Sequence, residues 1–350
     1  MKLKLLSLLL LMSNCLFAQT IDPKKLDDYL DYIQNNNLGI GSLSIFKDGK
    51  EVYSKDFGQK NLSNASNEHN NKYHVGSVTK MFTATLVFRL IEQGKLKLDD
   101  KLSTFYPEIP NAQKITIKNL LEHTSGLGSY VVKDGEVWVV DKVTEKAIFE
   151  LIVKQGVSFE PGEKVAYSNT AYYLLAKILE QKYKKPYHQI ISSEIAKPLG
   201  LKTLASINSN PKNVFKPYKY ENKSWNEAQD LDFLNVIGVG DIVSTPKELN
   251  VFMENLFLGK IIKKESLELM LPILGKETWG RGIALWDFDE INFFGHGGDT
   301  LGSHAILMYN KDTNMSIAYT TNGERIRKEE FIKNIVYILY NKTFQLPEIK

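Results

Sequence analysis

Ser77 and Lys80 stand three residues apart in GSVTKMFTAT, at the point where an apolar helical pattern begins. On a helix, residues i and i+3 share a face, so the amine can reach the hydroxyl. A serine hydroxyl is almost un-ionised at neutral pH and needs an adjacent base before it attacks a carbonyl; a desolvated lysine is one such base. The same spacing also fits a helix-capping serine beside a solvated lysine. Ser-x-x-Lys occurs four times in the chain, as Ser44/Lys47, Ser77/Lys80, Ser209/Lys212 and Ser244/Lys247. Ser44 falls in an expected strand, where i and i+3 point to opposite faces. Ser209 precedes Asn210-Pro211 in an expected loop, and Ser244 precedes Thr245-Pro246, with Thr245 and Glu248 forming a capping box. Only Ser77 opens a long apolar helix, whose unpaired N–H groups and positive dipole end favour an oxyanion.

The elements that must position this pair read as follows. Asp22-Pro23 precedes a helical pattern through Tyr32, and SLSIFKDGKEVYS reads as two strands around the Asp48-Gly49 turn. Helical patterns follow Gly94 at 118–123, 144–155, 169–183 and 187–199. Beyond Gly238 come a helix at 246–257, strand-like runs at 282–286, 303–309 and 315–320, and a closing helix at 327–340. This order predicts an α+β fold: one antiparallel sheet built from both termini (19–75 and 240–350), a mostly helical insertion (76–239), and a cleft between them.

The first eighteen residues, MKLKLLSLLLLMSNCLFA, read as a signal peptide cleaved near Ala18, with an apolar run too short to span a bilayer. A lipid-modified Cys15 is the rival reading, disfavoured by the bulky Asn14 before it. Cleavage leaves 332 of 350 residues, lowers the net charge from +3 to +1 and removes the single cysteine, so no disulfide or thiol nucleophile remains. A secreted or periplasmic protein is expected. Near-neutral charge and the absence of arginine–aromatic clusters argue against nucleic acid. The six histidines are scattered without H-E-x-x-H spacing, and there is no G-x-x-x-x-G-K-[ST] loop, so neither metal nor cofactor is expected.

Two further motifs follow in order: Tyr167-Ser-Asn169, after the turn Phe159-Glu-Pro-Gly162, and His296-Gly297-Gly298. A second Y-x-N, Tyr220-Glu-Asn222, lacks that turn and the helix after it. With ITIKNLLEHTSGL and GVGDIVSTPKELNVF, the set resembles the serine penicillin-recognising enzymes over residues 26–338. The resemblance is to the group joining class C β-lactamases, D-alanyl-D-alanine carboxypeptidases, D-aminopeptidases and related esterases, and it implies the β-lactamase/transpeptidase-like fold. It also implies that Ser77 forms an acyl-enzyme while Lys80 and Tyr167 shuttle the proton. Asn169 would position Lys80 and bind the substrate amide; the Ser77 and Asp299 N–H groups would form the oxyanion hole; Gly297 and Gly298 would admit the substrate backbone.

The third motif departs from the Lys-Thr-Gly usual among the β-lactamases of this group. An amine and a hydroxyl near a substrate carboxylate are missing, which weakens a β-lactamase reading. His296 is expected to titrate near neutral pH and, when protonated, to hold such a carboxylate; Arg281 is the alternative cation. His123 and His304 are read as satisfying local backbone. The expected substrates are D-amino-acid peptides, a peptidoglycan stem peptide among them, or related amides and esters. Esterase, β-lactamase and non-catalytic cell-wall sensor are the alternatives.

Overall fold

The computed structural model describes residues 21–62 and 72–349; the expected signal peptide with Cys15, and also His69, lie outside the described residues. The first helix, Pro23–Asn35, starts where expected, because the Asp22 carboxylate accepts from the Lys24 and Lys25 N–H groups and Pro23 occupies the first turn. Strands Gly39–Lys47 and Lys50–Phe57 are joined through Asp48 and Gly49, both at positive φ (50° and 77°), as a tight two-residue hairpin requires.

These two strands form one side of a six-stranded antiparallel sheet completed by the C-terminal part of the chain. Met315–Glu324 pairs with Gly39–Lys47, His304–Asn310 pairs with Met315–Glu324, Ile291–Asp299 comes next, and Ala284–Phe288 forms the far edge. Helices Pro23–Asn35 and Lys328–Leu339 cover one face of this sheet, where Phe331 stacks on Tyr319 at 4.1 Å and on Phe57 at 5.6 Å. The other face packs against the larger core, which includes Leu307 and Ala318 from the sheet and Phe82 stacked on Phe252 at 4.0 Å. Sheet strands covered on both faces read as nearly continuous buried runs, and Gly39–Lys47 is buried throughout except Lys47.

Helix Thr79–Glu92 lies inside the larger core, with Thr79 through Phe88 all buried. Its apolar character therefore runs around the whole circumference, as a central helix requires. Helices Asn169–Tyr183 and Pro246–Phe257 match their expected bounds, the second capped by Thr245. The pattern at 187–199 proves shorter: helix Tyr187–Ile191 runs into a π turn at Ser192–Ala196. Strand Ile291–Asp299 escapes the alternation pattern, since its His-Gly-Gly end carries too few side chains to show a period of two. No helix among the described residues is long and apolar enough to cross a membrane.

Candidate active site

Ser77 sits in a single 3-10 turn, Gly76–Val78, and the α-helix begins only at Thr79. Lys80 is the second residue of that helix, one turn beyond Ser77 and on its face. Lys80 Nζ lies 2.8 Å from Ser77 Oγ, and the Tyr167 hydroxyl donates to the same oxygen at 2.8 Å. Ser77 is therefore not the helix cap; its oxygen is shared between an amine and a phenol.

Lys80 is fully buried, and its other hydrogen bond, 3.1 Å long, goes to the carbonyl of Val239. Among the described residues no carboxylate contacts it, and burial drives its pKa well below the ordinary 10.5. Burial thus favours the neutral amine, whose lone pair can take the Ser77 proton. Val239 belongs to a tight loop fixed by Asp241, whose carboxylate accepts from the Gly238 N–H at 2.6 Å and from the Ser206 hydroxyl. Burial pushes Asp241 up to about 7. The expectation that Asn169 positions Lys80 is corrected: the Asn169 amide donates to Ser129 Oγ at 3.0 Å and lines the cleft, while the Val239 carbonyl holds the lysine.

Tyr167 follows the turn that ends at Gly162 and precedes helix Asn169–Tyr183, which Ser168 caps by accepting from the Ala171 N–H. Its ring is partly open to the cleft and stacks on His123 at 4.5 Å. Desolvation raises the phenol above its ordinary value, so the hydroxyl stays protonated and donates. His123 accepts not from local backbone but from the distant Ser168 N–H at 3.1 Å, and burial keeps it neutral.

Strand Ile291–Asp299 crosses the start of the nucleophile turn. A Cβ on Gly298 would lie 1.9 Å from the Val75 carbonyl oxygen and 2.9 Å from the Ser77 nitrogen. Gly76, at φ 50°, would place a Cβ 2.7 Å from the Asp299 nitrogen. Only glycine at both points lets the two backbones touch, which draws the Ser77 and Asp299 nitrogens to one crossing. The neighbouring strand ends at Ala284, opposite Gly295, so residues 296–299 present a free edge to a cleft of about 550 Å³.

His296 differs from expectation. It is buried, and desolvation lowers its pKa to about 3, so it is neutral near pH 7. Arg281 is not the substitute cation either, because its guanidinium is paired with Glu122 and the Leu269 carbonyl. His304 bonds the Asp299 carboxylate at 2.8 Å and not local backbone. The cation that does line the cleft is Lys328, bound to Asp299 at 2.5 Å and to Glu329 at 3.1 Å. The sequence shows it only as one more lysine at the start of the last helix. Trp279 and Trp286 also line the cleft and were not singled out in the sequence.

A serine activated by a lysine and a tyrosine beneath a strand edge defines a serine hydrolase. The profile of the family described as Beta-lactamase matches residues 32–341, and the chain belongs to that family. A protein of Bacillus subtilis (strain 168) bearing the name penicillin-binding protein PbpX is 28% identical over 319 residues, covering 87% of this chain and 78% of its own. The teichoic acid D-alanine hydrolase of Staphylococcus aureus is 27% identical over 267 residues, 74% of this chain and 64% of that one. Among solved structures, the D-amino acid amidase of Ochrobactrum anthropi SV3 superposes with a TM-score of 0.78 at 21% identity, over 91% of this chain and 99% of its own. That likeness establishes the β-lactamase/transpeptidase-like fold.

Proposed function

We propose that the protein hydrolyses D-amino-acid peptides or related amides and esters through an acyl-enzyme on Ser77, and that it works outside the cytoplasm after removal of residues 1–18. The observation that carries the chemistry is the hydroxyl held at 2.8 Å from both the buried Lys80 amine, whose neutral form burial favours, and the donating Tyr167 phenol. Ser77 Oγ attacks the carbonyl carbon as its proton passes to Lys80 Nζ, and the oxyanion is received by the Ser77 and Asp299 N–H groups. Preorganised donors of this kind contribute about 3 to 4 kcal/mol each. When the tetrahedral adduct collapses, the bond to the leaving nitrogen or oxygen breaks and that atom takes the Tyr167 proton. The Lys80 ammonium, 4.9 Å from the Tyr167 ring centroid, restores it. Water then adds to the acyl carbon and gives a proton to Lys80; as the second adduct collapses, the acyl–Oγ bond breaks and Lys80 returns that proton to Ser77 Oγ.

The substrate class is supported by the names of the relatives, which include a D-alanine hydrolase and a D-amino acid amidase. The test is incubation with a fluorescent penicillin, D-aminoacyl p-nitroanilides and p-nitrophenyl esters, followed by intact mass and peptide mapping. Ser77→Ala should lose turnover and covalent adduct together. An adduct that persists on another serine in that variant would overturn the assignment. A stable penicilloyl adduct would point to a penicillin-binding carboxypeptidase, rapid release to a β-lactamase.

A further inference from the structure

Lys80 has a partner on each side, Ser77 Oγ at 2.8 Å and the Val239 carbonyl at 3.1 Å. An amine that takes the Ser77 proton must turn its lone pair toward that hydroxyl, so one of its N–H groups must be turned to another acceptor. The Val239 carbonyl is that acceptor, and it also meets the positive charge that Lys80 gains. Where this carbonyl stands is therefore part of the catalytic geometry.

Its place is set by a short loop, 237–241, between the 3-10 turn Phe233–Val236 and strand Ile242–Ser244. The Val239 and Gly240 N–H groups both turn back to the Val236 carbonyl, at 3.0 and 2.9 Å. Gly238, at φ 72°, lies so close to helix Asn169–Tyr183 that a Cβ there would be 2.2 Å from the Ala176 Cβ. Its carbonyl accepts at 2.7 Å from the hydroxyl of Thr83, on the same helix as Lys80. Its N–H donates to the Asp241 carboxylate at 2.6 Å. Asp241 is fully buried, receives the Ser206 hydroxyl on its other oxygen, and has no bonded cation among the described residues. A carboxyl group buried away from any cation is costly to keep. This one lines no part of the cleft; its two bonds tie the loop beside Lys80 to strand Ala205–Ser206.

We propose that Asp241 is a positioning residue of the hydrolase: by holding the Gly238 N–H, with Ser206 fixing its own orientation, it sets the Val239 carbonyl against Lys80 and so aims the lysine lone pair at Ser77. The inference rests on the hydrolase reading above and adds to it a residue that touches neither substrate nor the reacting atoms. Thr83 and Asp241 grip Gly238 from its two sides, one through the carbonyl and one through the N–H. Without the carboxylate the Gly238 N–H is left unpaired in a buried loop, and the loop must turn to satisfy it. A displacement of about 1 Å at a catalytic group can cost about 100-fold in rate.

The experiment measures the second-order rate at which an uncharged fluorophosphonate labels Ser77, at a pH on the plateau of the wild-type profile. Asp241→Ala should label about 10 to 100 times more slowly than wild type. Asp241→Asn should stay within about threefold of wild type, because its amide oxygen still accepts from Gly238 and its NH₂ can donate to Ser206 Oγ. In the Lys80→Met background, adding Asp241→Ala should change the rate by less than about twofold, since the loop acts only through the lysine. Ser206→Ala guards against an Asp241→Ala chain that fails to fold: it keeps the carboxylate, and its rate should fall about threefold, again only where Lys80 is present. Wild-type rates in both alanine variants, an Asn variant as slow as the Ala variant, or equal losses with and without Lys80 would overturn the inference and leave Asp241 a structural residue. A wild-type protein that takes no label on Ser77 would instead remove the hydrolase reading, and this inference with it.

Discussion

Two buried lysines line opposite parts of the site and behave in opposite ways. Lys80, beneath Ser77, touches a hydroxyl and a carbonyl but, among the described residues, no carboxylate, and its pKa falls well below the ordinary value. Lys328, beneath the strand edge, is desolvated too, but Asp299 and Glu329 lift its pKa above 10.5. Burial alone does not decide what a lysine is; its partners do. The floor of the cleft is thereby a neutral proton relay, and the rim is a fixed array of charges.

The largest effect should come from Lys80→Met, which removes the base and should cost about 10² to 10⁴ in kcat/KM. The same change should stabilise the fold near pH 7 by about 1 to 3 kcal/mol, because folding no longer strips a proton from a buried amine. The sign follows from the lowered folded pKa. The unfolded chain binds the extra proton below 10.5, so wild-type stability rises with pH and the gap to the variant closes toward that value. Urea unfolding at pH 7 and at about pH 10 measures it, and a variant less stable than wild type at pH 7 would break the contrast.

Lys328→Met should act in the other direction and less strongly. Its ion pairs are half open to solvent, so the loss should be about 0.5 to 1 kcal/mol. Here the folded pKa is raised. The stabilisation is present below lysine's ordinary value and is lost as pH rises through the folded one. It also fades in acid, as pH falls toward the Asp299 pKa of about 2. Urea midpoints measured toward alkaline pH should show both variants converging on wild type, Lys80→Met from the more stable side and Lys328→Met from the less stable side.

Two smaller effects sharpen the picture. The His296 ring protons should not shift in NMR spectra between about pH 5 and pH 8, since a pKa of about 3 keeps the ring neutral throughout. A midpoint near 6.5 would restore the switchable cation expected from the sequence. Ser244→Ala should change stability by under about 0.5 kcal/mol and leave turnover intact. Its hydroxyl is buried without a partner among the described residues, and the lysine three residues on pairs with Glu51 at 2.7 Å.

That last pair shows what the sequence could and could not disclose. Ser77/Lys80 and Ser244/Lys247 have the same spacing, and the helix cap at Thr245 was enough to discard the second. The sheet built from both termini, the capped helices and the three motifs were legible because each has a local signature: a period, a cap or a turn. The partners that set charge come from distant segments. Arg281 meets Glu122, Lys328 meets Asp299, and Val239 meets Lys80, 159 residues away, and no spacing announces such contacts. His296 lines the cleft with its pKa lowered to about 3, because its desolvation depends on packing between strand and helix that no spacing announces. The 3-10 turn at Ser77 was likewise hidden behind a sequence that reads as ordinary helix.

The central claim is that a neutral Lys80 activates Ser77, and the most direct measurement is the pH dependence of labelling by an uncharged fluorophosphonate, with the adduct located by peptide mapping. The second-order rate should climb from acid and reach its plateau well below pH 10.5, with the label on Ser77 and the acid limb abolished in Lys80→Met. A rate still rising at pH 10.5, as for a lysine of ordinary basicity, or a label on any other residue, would contradict it.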